Sequence, residues 1–227
     1  VYECFDPDRD ERVAIKVLSV AGPNPEIARE MFNREVGALK GFEHAHLVQM
    51  LDYQAEEDAG RLNIVLEMVA GGKTLEALIV EGAATSLSQT LRWRLEQALG
   101  LLQVLGRAHS RGVIHRDVKL RNVLFDPEQH RLKLVDFGIA RILENYGRGT
   151  AGQTLRDFYS RPYAAPEQVQ LQDTSFPADL YAFGVVLASL LAWRLPELTF
   201  TAESVSGFLA DFKREHEDTD GIAEIEN

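Results

Sequence analysis

One segment constrains this chain more than any other: Val113–Gly138, which reads VIHRDVKLRNVLFDPEQHRLKLVDFG. It brings Asp117, Lys119 and Asn122 close together, and a second acid, Asp136, follows a predicted turn. Carboxylate and amide oxygens suit Mg²⁺, and a lysine is a point charge that suits phosphate. An aspartate free of metal can accept a proton from an attacking hydroxyl. Because the flanking runs VIH and LKLVDF predict buried strands, we expect an acid-rich loop, held between strands, that handles metal and phosphate.

The pattern HRD-x-K-x-x-N, followed by a hydrophobic strand ending in DFG, is far more specific than its parts. An isolated Asp-x-Lys is usually a solvated surface pair, and an isolated His before Arg is usually structural. Together they resemble the catalytic and metal-binding loops of eukaryotic-type serine/threonine protein kinases. Lys119, two residues after Asp117, is typical of the serine/threonine members. The short loops and the Gln168 that follows Ala-Pro-Glu resemble bacterial members.

This resemblance implies a role for each polar residue of the segment. Asp117 would orient the substrate hydroxyl and accept its proton, and Lys119 would steady the γ-phosphate of ATP. Asn122 and Asp136 would bind Mg²⁺. Leu124 would belong to the nucleotide pocket.

A second part of the predicted nucleotide site lies upstream. Val1–Phe5 and Arg12–Leu18 predict a β-hairpin, whose second strand carries VAIKV. A lysine inside an apolar strand usually extends to an edge, so Lys16 alone says little. By the resemblance, Lys16 holds the α- and β-phosphates of ATP, and Val1 and Ala14 lie against the adenine.

A helix is predicted over Asn24–Lys40, with Pro25 at its first helical position. By the resemblance, Glu35 on this helix pairs with Lys16, and Glu30 is the alternative partner. Read without the resemblance, both glutamates are ordinary surface charges.

Two further strands are predicted at Leu47–Ala55 and Leu62–Met68, and Gly-Gly follows closely after the second. The resemblance makes this the hinge between two lobes. Leu66 would be the gatekeeper residue, and Glu67 and Met68 would offer backbone groups to adenine. Judged alone, an ordinary strand and a glycine turn explain the segment equally well.

Three helices are predicted after the hinge. Thr74–Ile79 is short, and Ser88–Ser110 is long, with an apolar stripe at helical spacing that stops at Gly112. Ala178–Trp193 is apolar on nearly all sides, so it should be buried, and its apolar run is shorter than the roughly 20 residues of a membrane span. Asp179 should cap this helix and, by the resemblance, anchor the backbone of the HRD segment.

The polar segment between DFG and AAPE is too long for a simple connector and is predicted to be functional. It resembles an activation segment, in which Ser160 would help to position Asp117 and Lys119. Thr150 and Thr154 are candidate phosphorylation sites, because Arg116 and Arg141 could bind a phosphate between them. The alternative is that both threonines are only flexible-loop residues.

Charge and cysteine content limit the partners and the compartment. The net charge of −11 argues against nucleic acid as the main partner. A single cysteine, Cys4, suits a reducing compartment, so we predict a cytoplasmic protein with no membrane segment in this chain. ATP, Mg²⁺ and a protein substrate are the predicted ligands, and the oligomeric state is left open.

The predicted fold is α+β: a truncated two-lobed protein kinase domain over residues 1–227. The first lobe, 1–69, is a small antiparallel sheet with one helix; the second, 70–212, is mainly helical; 213–227 is an acidic tail, predicted to be mobile. The Gly-rich loop expected before Val1 is not in the sequence, nor is a counterpart of the family's arginine that pairs with Glu167.

Three functions therefore compete. An active serine/threonine kinase is favoured by Lys16, Asp117, Asn122 and Asp136, all of which are present. A pseudokinase or scaffold is favoured by the missing Gly-rich loop. A small-molecule phosphotransferase is disfavoured by the long segment that ends in AAPE.

Overall fold

The computed structural model describes residues 1–19, 25–56, 61–82, 90–137, 162–169 and 175–196. The predicted tail at 213–227 and the predicted regulatory residues Arg141, Thr150, Thr154 and Ser160 lie outside these residues.

The first part of the chain forms a four-stranded antiparallel sheet with the strand order β1-β2-β4-β3. Its strands are β1 (Tyr2–Asp6), β2 (Glu11–Ser19), β3 (Met50–Glu56) and β4 (Arg61–Glu67). The predicted hairpin is confirmed, since β1 and β2 pair with Cys4 opposite Val13.

The strand predicted to start at Leu47 starts instead at Met50. Leu47 makes an isolated bridge to Leu134, far along the chain. The amide of Val48 donates to the carbonyl of Leu134 at 2.9 Å, and the amide of Leu134 donates to the carbonyl of His46 at 2.8 Å. These backbone bonds tie the segment before β3 to the second half of the molecule.

The predicted helix between β2 and β3 is confirmed as α1 (Pro25–Leu39). Its buried residues Phe32, Val36 and Leu39 recur at helical spacing and form one apolar face. The ring of Phe32 lies edge-on to Tyr53 of β3, with 6.0 Å between centroids, so this face packs on the sheet.

The second part combines helices with a small three-stranded sheet. That sheet is formed by β5 (Lys73–Thr74), β6 (Val123–Asp126) and β7 (Arg131–Leu134). The helices are α2 (Leu75–Val80), α3 (Leu91–Ser110), the short α4 (Pro166–Val169) and α5 (Phe176–Ala192). Side chains satisfy the amides at two helix starts: Thr74 Oγ1 accepts from Ala77 and Thr90 Oγ1 accepts from Trp93.

Helices α3 and α5 share the buried core of this second part. It is lined by Leu101, Leu105 and Ala108 of α3 and by Phe183 and Leu190 of α5. The predicted burial of α5 on nearly all sides is only partly correct, because Leu180 is 47% exposed. The apolar stripe predicted on α3 also includes Leu95 and Leu99, which are 40% and 57% exposed. Within the described residues, no helix is long and apolar enough to cross a membrane.

Two further local predictions are wrong. Residues 113–115, expected to be a strand, are irregular backbone, because an amide of this segment bonds to a side chain instead of to a neighbouring strand. Asp179, expected to cap α5, lies inside its first turn, and Ser175 takes the N-cap position. The carboxylate of Asp179 is used elsewhere.

Candidate active site

Asp179 binds the backbone of the HRD segment, residues 115–117. Its carboxylate is only 2% exposed and accepts the amide of His115 at 2.7 Å and the amide of Arg116 at 2.8 Å. A third bond comes from His109 Nε2 at 2.8 Å. Burying a carboxylate is costly unless hydrogen bonds replace its water, and here three do. This is the anchoring contact that the resemblance predicts, and it holds the backbone immediately before Asp117.

Two residues of the site adopt left-handed backbone conformations that non-glycine residues rarely take. The φ angles are 66° at Arg116 and 63° at Asp136. At Arg116 the bond from its amide to Asp179 holds the strained conformation in place. Such strain tends to concentrate at functional sites, where the surrounding structure enforces it.

The structure brings Asp117, Lys119 and Asn122 together, as the sequence predicts. Asn122 Nδ2 donates to the carboxylate of Asp117 at 2.8 Å and to its carbonyl at 2.7 Å. Lys119 Nζ lies 2.8 Å from the same carboxylate, with side chains 20% and 18% exposed. The Asp117 carboxylate is therefore oriented by two donors and still reaches solvent.

A second ion pair joins Lys16 of β2 to Asp136. Lys16 Nζ is 2.7 Å from Asp136 Oδ1, and the two side chains are 18% and 29% exposed. Since the amide of Val135 donates to the carbonyl of Asn122 at 2.9 Å, this pair is tied to the Asp117 cluster. Glu35 belongs to α1, but its side chain lies outside the described part of the chain. Its pairing with Lys16 stays a prediction.

Lys16 and Asp136 line one cavity of about 40 Å³, and its other lining residues are apolar. Its apolar lining comes from both halves of the molecule and includes Leu39, Met50, Leu66 and Phe137. The ring of Phe137 packs on the fully buried ring of His115, with 4.7 Å between centroids. Burial lowers the pKa of His115, so this imidazole is neutral at pH 7.

The predicted adenine residues come from both halves of the molecule. Ala14 and Leu66 face each other across the β2–β4 ladder, and Leu124 of β6 belongs to the hairpin of the second half. The amide of Glu67 donates to the carbonyl of Gln49 at 2.9 Å. Met68, the next residue, is half-buried, whereas Val1 is 79% exposed.

Sequence reasoning missed two residues at this site. Lys133 of β7 is buried and binds Glu67 Oε1 at 2.8 Å. Tyr163 hydrogen-bonds to the backbone of Leu120, and burial raises its pKa to about 12. Neither leaves a local signal, because Lys133 reads as an outward residue of a short strand and Tyr163 as part of a long polar segment.

The predicted regulatory role of Arg116 stays a prediction. Its side chain donates to the carbonyl of Ile114 at 3.4 Å. Its proposed phosphate partners, Thr150 and Thr154, and the second arginine, Arg141, are outside the described residues.

Comparison with known proteins gives a consistent family. The sequence model described as Protein kinase domain matches residues 1–216. The chain is 30% identical over 99% of its length to a probable serine/threonine-protein kinase, pknA2, of Bifidobacterium longum. It is 32% identical over 92% of its length to the serine/threonine-protein kinase pkn3 of Myxococcus xanthus. The chain spans only 28% and 37% of the lengths of these two relatives.

Solved structures agree with the sequence comparison. The crystal structure of the Mycobacterium tuberculosis PknI kinase domain superposes with a TM-score of 0.69 at 26% sequence identity. The superposition covers 92% of this chain and 76% of that domain. The predicted α+β, two-lobed architecture is thereby confirmed.

Proposed function

Because the chain belongs to the protein kinase domain family, we propose that it transfers the γ-phosphate of ATP to serine and threonine hydroxyls of proteins. The observation that carries this proposal is the Asp117 carboxylate, held by Lys119 and Asn122 beside the Lys16–Asp136 pair. The names of the bacterial relatives support the same reaction.

Asp117 receives the proton of the substrate hydroxyl in this proposal. Its carboxylate is fixed by two donors, Lys119 Nζ and Asn122 Nδ2, each 2.8 Å away. A carboxylate oriented before substrate arrives needs little rearrangement during the reaction. The backbone beneath it is held by Asp179, so the orientation does not depend on side chains alone.

The two lysines bind phosphate oxygens. Lys119 steadies the γ-phosphate next to the hydroxyl, and Lys16 holds the α- and β-phosphates. Each ammonium already lies 2.7–2.8 Å from a carboxylate in a partly exposed cleft. Such pairs can be exchanged for a phosphate contact because they are neither fully buried nor backbone-bound. Glu35 is the proposed second partner of Lys16.

The donors present fit Mg²⁺ bound together with a nucleotide. Asn122 uses its amide nitrogen on Asp117, which leaves the carboxamide oxygen for a cation, and Asp136 supplies a carboxylate 29% exposed. In the described part of the chain, no cluster of three or more His, Cys, Asp or Glu side chains could hold a metal ion. Mg²⁺ commonly uses one or two protein oxygens plus phosphates, as this pair would require. When bound, it neutralises charge on the transferred phosphate.

In this proposal, adenine lies in a pocket with one wall from each half of the molecule. Ala14 and Leu66 form one side, Leu124 the other, and the backbone of Glu67 and Met68 provides hydrogen bonds. Val1 covers the base from the edge of β1. Asp117, Asn122 and Asp136 are then placed at the phosphate end of the same cleft.

Transfer of labelled phosphate tests the reaction. The chain, alone and extended upstream by a Gly-rich strand typical of the family, is incubated with Mg²⁺, γ-labelled ATP and a basic acceptor protein. We expect phosphoserine and phosphothreonine, and Asp117→Asn should lower the rate by about 10²- to 10⁴-fold. Asp8→Asn, the same substitution in the exposed turn after β1, should leave it unchanged.

Binding of Mg-ATP without transfer, in both forms, would overturn the proposal in favour of a pseudokinase. Loop phosphorylation has a separate test: mass spectrometry should find phosphate on Thr150 or Thr154. Unchanged activity in the Thr150→Ala, Thr154→Ala double variant would remove loop phosphorylation as the switch.

A further inference from the structure

Lys133 is a buried cation between two carboxylates from different halves of the molecule. Its side chain is 6% exposed, and its Nζ lies 2.8 Å from Glu67 Oε1 and 3.2 Å from Asp126 Oδ2. Glu67 ends β4 in the first sheet, whereas Asp126 ends β6 in the second. One ammonium thus joins the two sheets directly.

The two ends of this bridge differ in how firmly they are held. Asp126 is 8% exposed and also accepts the amides of Glu128 and Gln129 at 3.0 and 3.1 Å. These bonds and Lys133 keep the pKa of Asp126 low although burial alone would raise it. Glu67 is 28% exposed, with its amide on the carbonyl of Gln49. Asp126 is therefore the fixed anchor, and Glu67 is the group that Lys133 holds in place.

The bridge lies at the proposed adenine pocket. Lys133 is directly opposite Leu124 in the β6–β7 ladder, so it shares a strand pair with one wall. Glu67 directly follows Leu66 and precedes Met68, so it belongs to the other wall. A change in the length of the bridge changes the separation of the two walls.

We propose that Lys133 is a positioning residue for the nucleotide: it ties Glu67 to the β6–β7 hairpin and so sets the width of the adenine pocket. This inference rests on the proposed function, because it assigns the adenine to that pocket. Lys133 itself does not contact the transferred phosphate. Its loss should therefore weaken ATP binding more than it slows transfer.

Exposed ion pairs elsewhere provide the contrast. Arg92 and Glu96 of α3 lie 2.9 Å apart, but their side chains are 89% and 57% exposed. Water replaces either partner of such a pair, so its removal has little effect. Removal of Lys133 instead leaves the carboxylate of Asp126, which is only 8% exposed, without its cation. Arg92→Met is therefore the matched control for Lys133→Met.

Two readouts test the proposal on the whole chain: the Kd for Mg-ATP, and hydrogen exchange of the amides of residues 66–69 without nucleotide. We expect Lys133→Met and Glu67→Met each to raise the Kd about tenfold. The double variant should be no weaker than either single variant, because both remove one bridge. Hinge exchange should quicken in all three, kcat at saturating ATP should change less than about twofold, and Lys133→Arg should recover most of the affinity.

The proposal is overturned if Lys133→Met matches Arg92→Met in both readouts, or if the two single effects multiply in the double variant. Glu67→Met keeps the Lys133–Asp126 bond, so it decides the matter if Lys133→Met does not fold. A wild-type chain that binds no ATP would contradict the proposed function. Hinge exchange would then still show whether Lys133 holds Glu67.

Discussion

Carboxylates are bonded in opposite ways on the two sides of the HRD segment, residues 115–117. The underside contains Asp179, and the upper side contains two ion pairs. Below, Asp179 is 2% exposed and accepts two backbone amides and one histidine. Above, the pairs Asp117–Lys119 and Lys16–Asp136 join side chain to side chain, with exposures of 18–29%. A buried carboxylate bonded to backbone cannot change partners without local unfolding, whereas a partly hydrated ion pair can. The underside is therefore rigid, whereas the ion pairs of the upper side can exchange partners.

Asp179→Asn should have the largest effect on stability. An amide in place of the carboxylate removes the charge and turns one acceptor into a donor facing an N–H group. We expect the free energy of unfolding to fall by roughly 3 kcal/mol, measured by urea denaturation. The matched control is Asp52→Asn, since Asp52 is exposed and accepts the amide of Tyr53 at 2.8 Å. Equal losses in the two variants would show that the underside is not the more strongly bonded region.

Lys16→Met should lower the affinity for Mg-ATP far more than it lowers the stability of the fold. Its ion pair with Asp136 is partly hydrated, so the free energy of unfolding should fall by less than about 1 kcal/mol. Affinity for Mg-ATP should fall about 10- to 100-fold, because charge-assisted bonds to phosphate are lost. Calorimetric titration and denaturation of the same sample measure both. A large loss of stability would mean that the upper pairs are structural after all.

Gly100→Ala tests how tightly α3 packs on His46, in the segment before β3. A Cβ at Gly100 would clash with the ring of His46, which is held by a 2.8 Å bond to the carbonyl of Leu132. We expect a loss of about 2 kcal/mol in the free energy of unfolding. Gly106→Ala, in the same helix with open space around it, should instead stabilise the protein by about 0.5–1 kcal/mol. A stabilising Gly100→Ala would mean that the ring moves freely.

Acid should lower the free energy of unfolding, because His115 on the underside is buried as a neutral imidazole. Burial lowers its pKa, so below about pH 6.5 the unfolded chain takes up a proton that the folded chain refuses. The contribution of neutral His115 to the free energy of unfolding is fully present above that pH and should fall by about 1 kcal/mol by pH 5.5. Urea denaturation at pH 7.5 and 5.5 measures this difference in the free energy of unfolding, and the difference should be smaller in His115→Phe. An unchanged difference in His115→Phe would assign it to other groups.

Local sequence is enough for the elements whose contacts are close in the chain. The β1–β2 hairpin and helix α1 follow from turn residues and apolar spacing, as observed. The cluster of Asp117, Lys119 and Asn122 was also predictable, because its members are separated by a few residues. The pairing of Glu35 with Lys16 is different, since its partners lie on separate elements, and it stays a prediction.

By itself the sequence determined the chemistry of Val113–Gly138: which carboxylates, amide and lysine are available, and that they lie close together. Tertiary structure alone decided how they are held. Residues 113–115 are irregular because Asp179, far along the chain, takes backbone bonds that a strand would have made. Lys133 is buried because Glu67 and Asp126 meet it from two sheets. Spacing along a chain reports neighbours within a few residues, whereas Asp179 meets His115, and Glu67 meets Lys133, only after elements distant in sequence pack together.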